Sequence, residues 1–223
     1  MDSKAIIFDL DGTLIDSSTS ILESFNSAFL SCSISLKAPL NSDIIGPPLM
    51  KILEILSGTS DQKILTNLAT EFKSHYDSYG YKKTIVFPGV ISMLKELKNI
   101  GFDLFIATNK RIYPTNKIIN MLQWNKYFSG IYGLDSISPR ADSKGNLLSY
   151  IIESNFLNKD NLIYIGDRDD DRIASIDADI DFIFAIWGYE ENNHLFIHEE
   201  RAVSPNDLIL KLMEWANRSM PNQ

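Results

Sequence analysis

The sequence predicts an α/β fold in which a doubly wound parallel sheet carries an inserted α-helical domain. Several short apolar runs end at a polar or acidic residue and are followed by helical patterns, which is typical of β-α-β units. These runs are hydrophobic at every position rather than at alternate positions, as expected for strands buried on both faces of a parallel sheet. One long segment contains helical patterns only.

The predicted strands are short and well separated along the chain. They cover residues 4–8, 103–107, 162–165 and 181–186, with residues 130–132 as a weaker candidate. Apolar side chains at helical spacing predict helices around residues 90–97 and 147–152. The last helix is predicted to begin with Ser204 as its N-cap and Pro205 at its first position, with Asp207 in the first turn.

Residues 17–83, here called the insertion, interrupt this alternation. Apolar side chains recur there at helical spacing, as in Ile21, Phe25 and Phe29, and no strand pattern is convincing. A Phe-Pro-Gly turn at residues 87–89 brings the chain back to the sheet. We therefore predict a core of residues 1–16 and 84–223 and a helical domain of residues 17–83.

The composition is that of an ordinary globular chain, since 44% of its 223 residues are hydrophobic and 22% are charged. The 29 acidic and 21 basic residues give a net charge of −8, which argues against binding to nucleic acid or to an anionic membrane. The single cysteine, Cys32, cannot form an internal disulfide. The first apolar run is too short for a signal peptide. We expect a cytoplasmic protein, either monomer or homodimer.

Two acidic motifs follow the ends of predicted strands. Residues 9–13 (DLDGT) place the carboxylates of Asp9 and Asp11 on the same side of an extended chain, and Gly12 permits a sharp turn after them. Residues 166–171 (GDRDDD) follow another strand. Ligands bind at the carboxyl edge of an open α/β sheet, so we expect both motifs to face one site.

The carboxylates of Asp9, Asp11, Asp167 and Asp171 need a cation if they lie close together. Each close pair of like charges costs on the order of 4 kcal/mol at an effective dielectric near 20. A ligand set made only of oxygen atoms suits a hard ion such as Mg²⁺, which also binds substrate phosphate. The sequence therefore predicts a Mg²⁺ site at these four residues.

Three further residues suit a phosphoryl group. Thr108 and Asn109 follow a predicted strand and offer a hydroxyl and an amide, and Lys144 begins a predicted helix. A cation and a helix N-terminus both favour an anion, and charge redistributes over the oxygens of a phosphoryl group during its transfer. In the insertion, Gly46 and Pro47 belong to a Gly-Pro-Pro loop whose prolines hold its shape, so we expect this loop to contact substrate.

In order and spacing, residues 9–13, Thr108, Lys144 and residues 166–171 resemble the four signature motifs of the haloacid dehalogenase superfamily of phosphohydrolases. The position of the insertion resembles the small helical cap of that superfamily, which implies a Rossmann-like core. Residues 46–49, 87–90 and 187–189 further resemble phosphoglycolate-phosphatase-like members. One departure is Arg168, where many relatives have Ser or Thr.

The resemblance implies a role for each matching residue. Asp9 would be the nucleophile that forms an aspartyl-phosphate, and Asp11 would be the general acid and base. Mg²⁺ would be held by Asp9, by a backbone carbonyl at Leu10 or preferably Asp11, and by Asp167, with Asp171 direct or through water. Thr108, Asn109 and Lys144 would hold the phosphoryl oxygens.

We therefore expect a Mg²⁺-dependent phosphomonoester hydrolase acting on a small phosphorylated metabolite, either phosphoglycolate-like or a nucleoside monophosphate. Two alternatives stay open. A phosphosugar mutase resembles the same fold and motifs, and differs in whether a sugar rather than water accepts the phosphoryl group. A phosphorylation-responsive regulatory module also uses an acceptor aspartate, but it needs neither an insertion nor Asp11.

Overall fold

A parallel β-sheet forms the centre of the structure. The computed structural model describes residues 4–189 and 200–218, so the ends of the predicted core and residues 190–199 lie outside the described residues. The strands in the described ranges are β1 (Ala5–Phe8), β2 (Ile15–Asp16), β3 (Ile85–Val86), β4 (Asp103–Thr108), β5 (Gly130–Gly133), β6 (Leu162–Gly166), β7 (Asp181–Ala185) and β8 (Arg201–Ala202). Six of them form one sheet in the order β5-β4-β1-β6-β7-β8, and all its neighbouring strands are parallel.

Helices cover both faces of this sheet. The helices are α1 (Ser18–Ser31), α2 (Leu49–Ser57), α3 (Gln62–Ser78), α4 (Val90–Ile100), α5 (Ile112–Met121), α6 (Lys144–Ser154), α7 (Asp169–Ala178) and α8 (Pro205–Arg218). On one face, Ile6 and Phe8 of β1 pack with α4, α5 and α8. On the other face, Ala5 and Ile7 pack with α6 and α7. The sheet is doubly wound, and the unbroken apolar runs of its strands are explained by burial on both sides.

The insertion forms three helices, α1 to α3, with a core of its own. Phe25 of α1, Leu53 of α2 and Phe72 of α3 are buried together there. Where the chain leaves and re-enters the sheet domain, β2 and β3 form a two-stranded antiparallel ribbon. The predicted α/β fold with an inserted helical domain is confirmed, while the limits of the domain at residues 17 and 83 stay a prediction.

All five predicted strands are present, and their bounds differ from the prediction by one residue or less at each end. The strands β2, β3 and β8 were not predicted, because two residues are too few to show a periodicity. The start of α8 is confirmed: Ser204 Oγ accepts a hydrogen bond from the Asp207 N–H at 3.2 Å, and Asp207 accepts one from the Val203 N–H at 2.9 Å.

Among the helices of the described ranges, none has both the length and the apolar character needed to cross a lipid bilayer.

Candidate active site

Three adjacent strands bring the predicted motifs together at the carboxyl edge of the sheet. Asp9 directly follows β1, Thr108 ends β4, and Asp167 directly follows β6. The Asp9 N–H donates to the carbonyl of Ile165 at 2.8 Å, which ties the end of β1 to β6. All three side chains are buried. The sheet order β4-β1-β6 therefore places the first, second and fourth motifs side by side.

Lys144 completes this arrangement from the first position of α6. Its Nζ donates to Asp9 Oδ1 at 2.8 Å and to Asp171 Oδ1 at 2.5 Å, and the side chain is 8% exposed. Burial lowers the pKa of Lys144, but Asp171 and Asp9 raise it by more, so the net shift is upward. Lys144 is therefore a fixed positive charge beside Asp9 throughout the neutral pH range.

Asp9, Asp167 and Asp171 form a compact acidic cluster. Each offers one carboxylate oxygen, and these oxygens lie within 4.8 Å of one another. Burial raises the pKa of Asp9 well above its ordinary value, and Asp171 and Asp167 raise it further while Lys144 lowers it. Burial and the charge of Asp171 raise the pKa of Asp167 to about 7. Fully ionised, the three carboxylates would carry more negative charge than Lys144 neutralises, and their oxygen donors fit a hard divalent cation such as Mg²⁺.

Neighbouring groups hold two of these carboxylates in place. Asp171 Oδ1 accepts from the Tyr164 hydroxyl at 2.9 Å, and its Oδ2 accepts from the N–H groups of Asp167 and Arg168 at 3.1 Å. Asp167 accepts from Thr13 Oγ1 at 3.2 Å and from the Tyr189 N–H at 2.7 Å. Sequence reasoning missed Tyr164, because nothing distinguishes it from the apolar residues around it in β6.

Gly12 allows the first motif to lie against the fourth. Its φ angle of 94° falls in the left-handed region that favours glycine. A Cβ at this position would overlap the carboxylate of Asp167, so the close approach itself also requires glycine. The predicted turn at Gly12 therefore positions Asp167 as well as Asp9 and Asp11.

The carboxylate of Asp11 lies apart from the cluster of three. Asp11 Oδ2 pairs with Lys110 Nζ at 2.9 Å, and Asp11 Oδ1 accepts a short hydrogen bond from Ser17 Oγ. Lys110 Nζ also lies 4.7 Å from the centre of the Tyr76 ring. Burial lowers the pKa of Lys110, but Asp11 and Tyr76 raise it by more. Sequence reasoning missed Lys110, although its position directly after Thr108 and Asn109 was an available signal.

Residues of the sheet edge also hold the insertion. Asn109 Nδ2 donates to the carbonyl of Gly46 at 2.8 Å, and Arg168 Nη2 donates to the carbonyl of Ser42 at 2.9 Å. Arg111 forms a two-bond ion pair with Asp77 of α3, at 3.0 and 2.5 Å. Arg168, which departs from the family pattern, thus bonds Ser42 of the insertion.

One cavity joins the sheet edge to the insertion. The predicted site residues that line it are Asp9, Asp11, Asp171, Thr108, Asn109, Lys144, Gly46 and Pro47. Asp167 is fully buried beside Asp171. The structure therefore brings the predicted residues together, while the role of each one stays a prediction.

We expect the metal-free protein to lose stability as the pH rises from about 4 to about 7. The pKa of Asp167 is about 7 in the folded chain, against an ordinary value of 3.8. Between these values the unfolded chain releases the proton first, so the free energy of unfolding falls by on the order of 4 kcal/mol in total, of which about 3 kcal/mol is lost between pH 5 and pH 8. Urea unfolding in chelator at about pH 5 and about pH 8 measures this loss.

Asp167→Asn is the matched control for that measurement, because the amide keeps the shape of the side chain and cannot ionise. The variant should lose less stability over the same pH interval. Equal losses in the variant and the wild type would contradict the raised pKa of Asp167.

Comparisons with known proteins agree with this geometry. The model of a family described as "Haloacid dehalogenase-like hydrolase" matches residues 6–185. A phosphoglycolate phosphatase of Psychrobacter arcticus is 30% identical over 201 residues, which cover 85% of this chain and 86% of that protein. The tyrosine-protein kinase PtkA of Mycobacterium tuberculosis is 27% identical over 188 residues, covering 83% of this chain and 63% of that protein. A solved structure of a predicted phosphatase from Clostridium acetobutylicum is 26% identical, with a TM-score of 0.85, over 96% of this chain and 100% of that one.

Proposed function

Because the chain belongs to the haloacid dehalogenase-like hydrolase family, we propose that it is a Mg²⁺-dependent phosphatase that hydrolyses a small phosphomonoester through an aspartyl-phosphate at Asp9. One observation carries this proposal. The buried Asp9 carboxylate lines the cavity, accepts a hydrogen bond from Lys144 Nζ and clusters with the carboxylates of Asp167 and Asp171. The similarity to PtkA spans less than two thirds of that protein, so it gives little support to a kinase.

Asp9 carries out the first step. One of its carboxylate oxygens attacks phosphorus, an aspartyl-phosphate bond forms, and the bond from phosphorus to the ester oxygen breaks. The Nζ of Lys144, 2.8 Å from Asp9 Oδ1, orients the carboxylate and places positive charge beside the phosphoryl oxygens. The hydroxyl of Thr108, buried at the end of β4, is available to donate to another phosphoryl oxygen.

Asp11 moves the protons. It donates one to the departing ester oxygen, so that a neutral alcohol leaves, and its carboxylate then removes a proton from the attacking water. That water attacks phosphorus, phosphate leaves, and the Asp9 carboxylate is regenerated.

The acidic cluster supplies the metal ligands in this proposal. Asp9, Asp167 and the backbone carbonyl of Asp11 would hold Mg²⁺, with Asp171 binding directly or through water. When bound, the ion supplies positive charge that neutralises the phosphoryl oxygens during transfer. The raised pKa values of Asp9 and Asp167 support this assignment, because burial and the neighbouring carboxylates disfavour the ionised forms, which a bound cation would stabilise.

The insertion serves as a cap over this site in our proposal. Gly46 and Pro47 line the cavity, and the Asn109 amide that was expected to contact substrate bonds the carbonyl of Gly46. Phosphoglycolate-like compounds and nucleoside monophosphates are the candidate substrates. A phosphosugar mutase is the alternative enzyme activity, but no observation on the described residues favours it.

We expect chelator to remove the activity and Mg²⁺ to restore it. Without a cation the carboxylates of the cluster repel one another and the phosphate, so the rate should fall by about 100-fold or more. Phosphate release from a panel of phosphomonoesters, measured in chelator and after adding Mg²⁺ back, tests the proposed function. Ca²⁺ should restore little, because its coordination is larger and less regular. Full activity in chelator, or no release from any ester with Mg²⁺, would refute the proposal.

A further inference from the structure

The part of the cavity wall that the insertion supplies is built mainly from hydrocarbon. Its apolar lining includes Ile21, Phe25, Ile45, Met50, Ile52 and Phe72. All of these except Met50 are at least nine-tenths buried, and Met50 is half-buried in the first turn of α2. Their side chains converge on the cavity from α1, from α2, from α3 and from the loop before α2. A substrate whose phosphoryl group lies at Asp9 must therefore place part of its leaving group along an apolar surface.

The insertion adds few polar side chains to this wall. The lining residues with polar side chains from residues 17–83 are Lys73 and Tyr76. Lys73 is exposed to solvent, and burial raises the pKa of Tyr76, so its hydroxyl stays neutral. Among the described residues, the insertion thus brings no buried charge to the cavity.

The cations that line the opposite wall already have partners. Lys110 pairs with Asp11, Arg111 pairs with Asp77, and Arg168 donates to the carbonyl of Ser42. Arg140 also lines the cavity but is exposed. A carboxylate placed against the apolar wall would lose its hydration without gaining a buried cation, which is strongly unfavourable.

We infer, on the basis of the proposed function, that the alcohol released by this phosphatase is uncharged and presents an apolar or aromatic face to the wall formed by the insertion. Of the two candidate substrate classes, a nucleoside monophosphate offers such a face in its base. The glycolate of phosphoglycolate does not, because its carboxylate would face hydrocarbon. We therefore expect this chain to prefer a substrate other than phosphoglycolate, although its relative from Psychrobacter arcticus is named a phosphoglycolate phosphatase.

A series of n-alkyl phosphates, from ethyl to hexyl, tests this inference. Their alcohols are nearly equal as leaving groups, so a change in kcat/KM along the series reports contact with the wall. We expect kcat/KM to rise by about fourfold for each methylene that becomes buried. We also expect propyl phosphate to be hydrolysed faster than phosphoglycolate, which has a similar size.

The outcomes distinguish this inference from the proposed function. No release from any ester, p-nitrophenyl phosphate included, would mean that the proposed function itself fails. Release from p-nitrophenyl phosphate, combined with a flat alkyl series or with phosphoglycolate as the faster substrate, would overturn only the inference.

Met50→Lys tests whether the leaving group contacts the apolar wall, because it adds a positive charge to the part of the wall that has no buried charge. Met50 lines the cavity and is half-buried, so the longer polar side chain can be accommodated. The ratio of kcat/KM for phosphoglycolate to that for butyl phosphate should rise by about tenfold or more, as expected for a charged hydrogen bond. Ile55→Lys is the matched control, because Ile55 lies on the same helix, is 47% exposed and does not line the cavity.

The Ile55→Lys variant should keep the wild-type ratio. An unchanged ratio in a folded Met50→Lys variant would overturn the assignment of the leaving group to this wall.

Discussion

Asp9→Asn is expected to abolish phosphate release while the protein stays folded. The amide cannot attack phosphorus, so no aspartyl-phosphate forms, and the rate should fall by about 10⁴-fold or more. The fold should tolerate the change, because the raised pKa of Asp9 means that a neutral side chain already suits this buried position. Lys144 keeps Asp171 as its partner at 2.5 Å.

Phosphate release from p-nitrophenyl phosphate measures this effect, and circular dichroism with thermal unfolding measures the fold. Asp179→Asn is a matched control, because the Asp179 side chain is 91% exposed and lies outside the cavity. The control should keep the wild-type rate. A folded Asp9→Asn variant with a rate near that of the control would contradict the assignment of Asp9 as nucleophile.

Asp11→Asn should affect phosphoryl transfer to Asp9 and hydrolysis of the aspartyl-phosphate differently. The effect on the first step should depend on the leaving group. An alkyl alcohol needs a proton as it leaves, so its phosphate ester should lose about 10²- to 10⁴-fold in rate. The p-nitrophenolate ion leaves without a proton, so phosphoryl transfer to Asp9 should stay fast with that ester. Hydrolysis of the aspartyl-phosphate still needs a base, so this second step should become slow.

Rapid-mixing kinetics separate the two steps of this variant. A burst of about one p-nitrophenolate per active site should precede a slow steady rate. The wild type, assayed in parallel, should show a smaller burst because its second step is faster. Equal losses on both esters and no burst would mean that Asp11 positions other groups, such as Lys110 at 2.9 Å, rather than transferring protons.

The fold could be predicted because strands that are buried on both faces give continuous apolar runs in the sequence. The strands next to the site, β1, β4 and β6, are apolar at almost every position since helices cover both faces of the sheet. The ribbon of β2 and β3 has no such apolar run, because each strand has two residues and Ile85 of β3 is exposed. Short elements like these are set by the contacts of the surrounding chain.

The site could be predicted where its residues follow directly from strands. Asp9, Thr108 and Asp167 were found because the ends of parallel strands meet at one edge. Contacts between distant segments were not predictable in this way. The bond from Arg168 to Ser42 spans 126 residues, and the bond from Asn109 to Gly46 spans 63. Both depend on where the insertion packs, and no local pattern encodes that position.

The covalent intermediate itself can be trapped. Borohydride reduces an aspartyl-phosphate to homoserine, and mass spectrometry of the digested protein locates the modified residue. After mixing with p-nitrophenyl phosphate and Mg²⁺, Asp11→Asn protein should carry homoserine at position 9, and protein without substrate should not. Homoserine at another aspartate, or none at position 9 while p-nitrophenolate is still released, would contradict nucleophilic catalysis by Asp9.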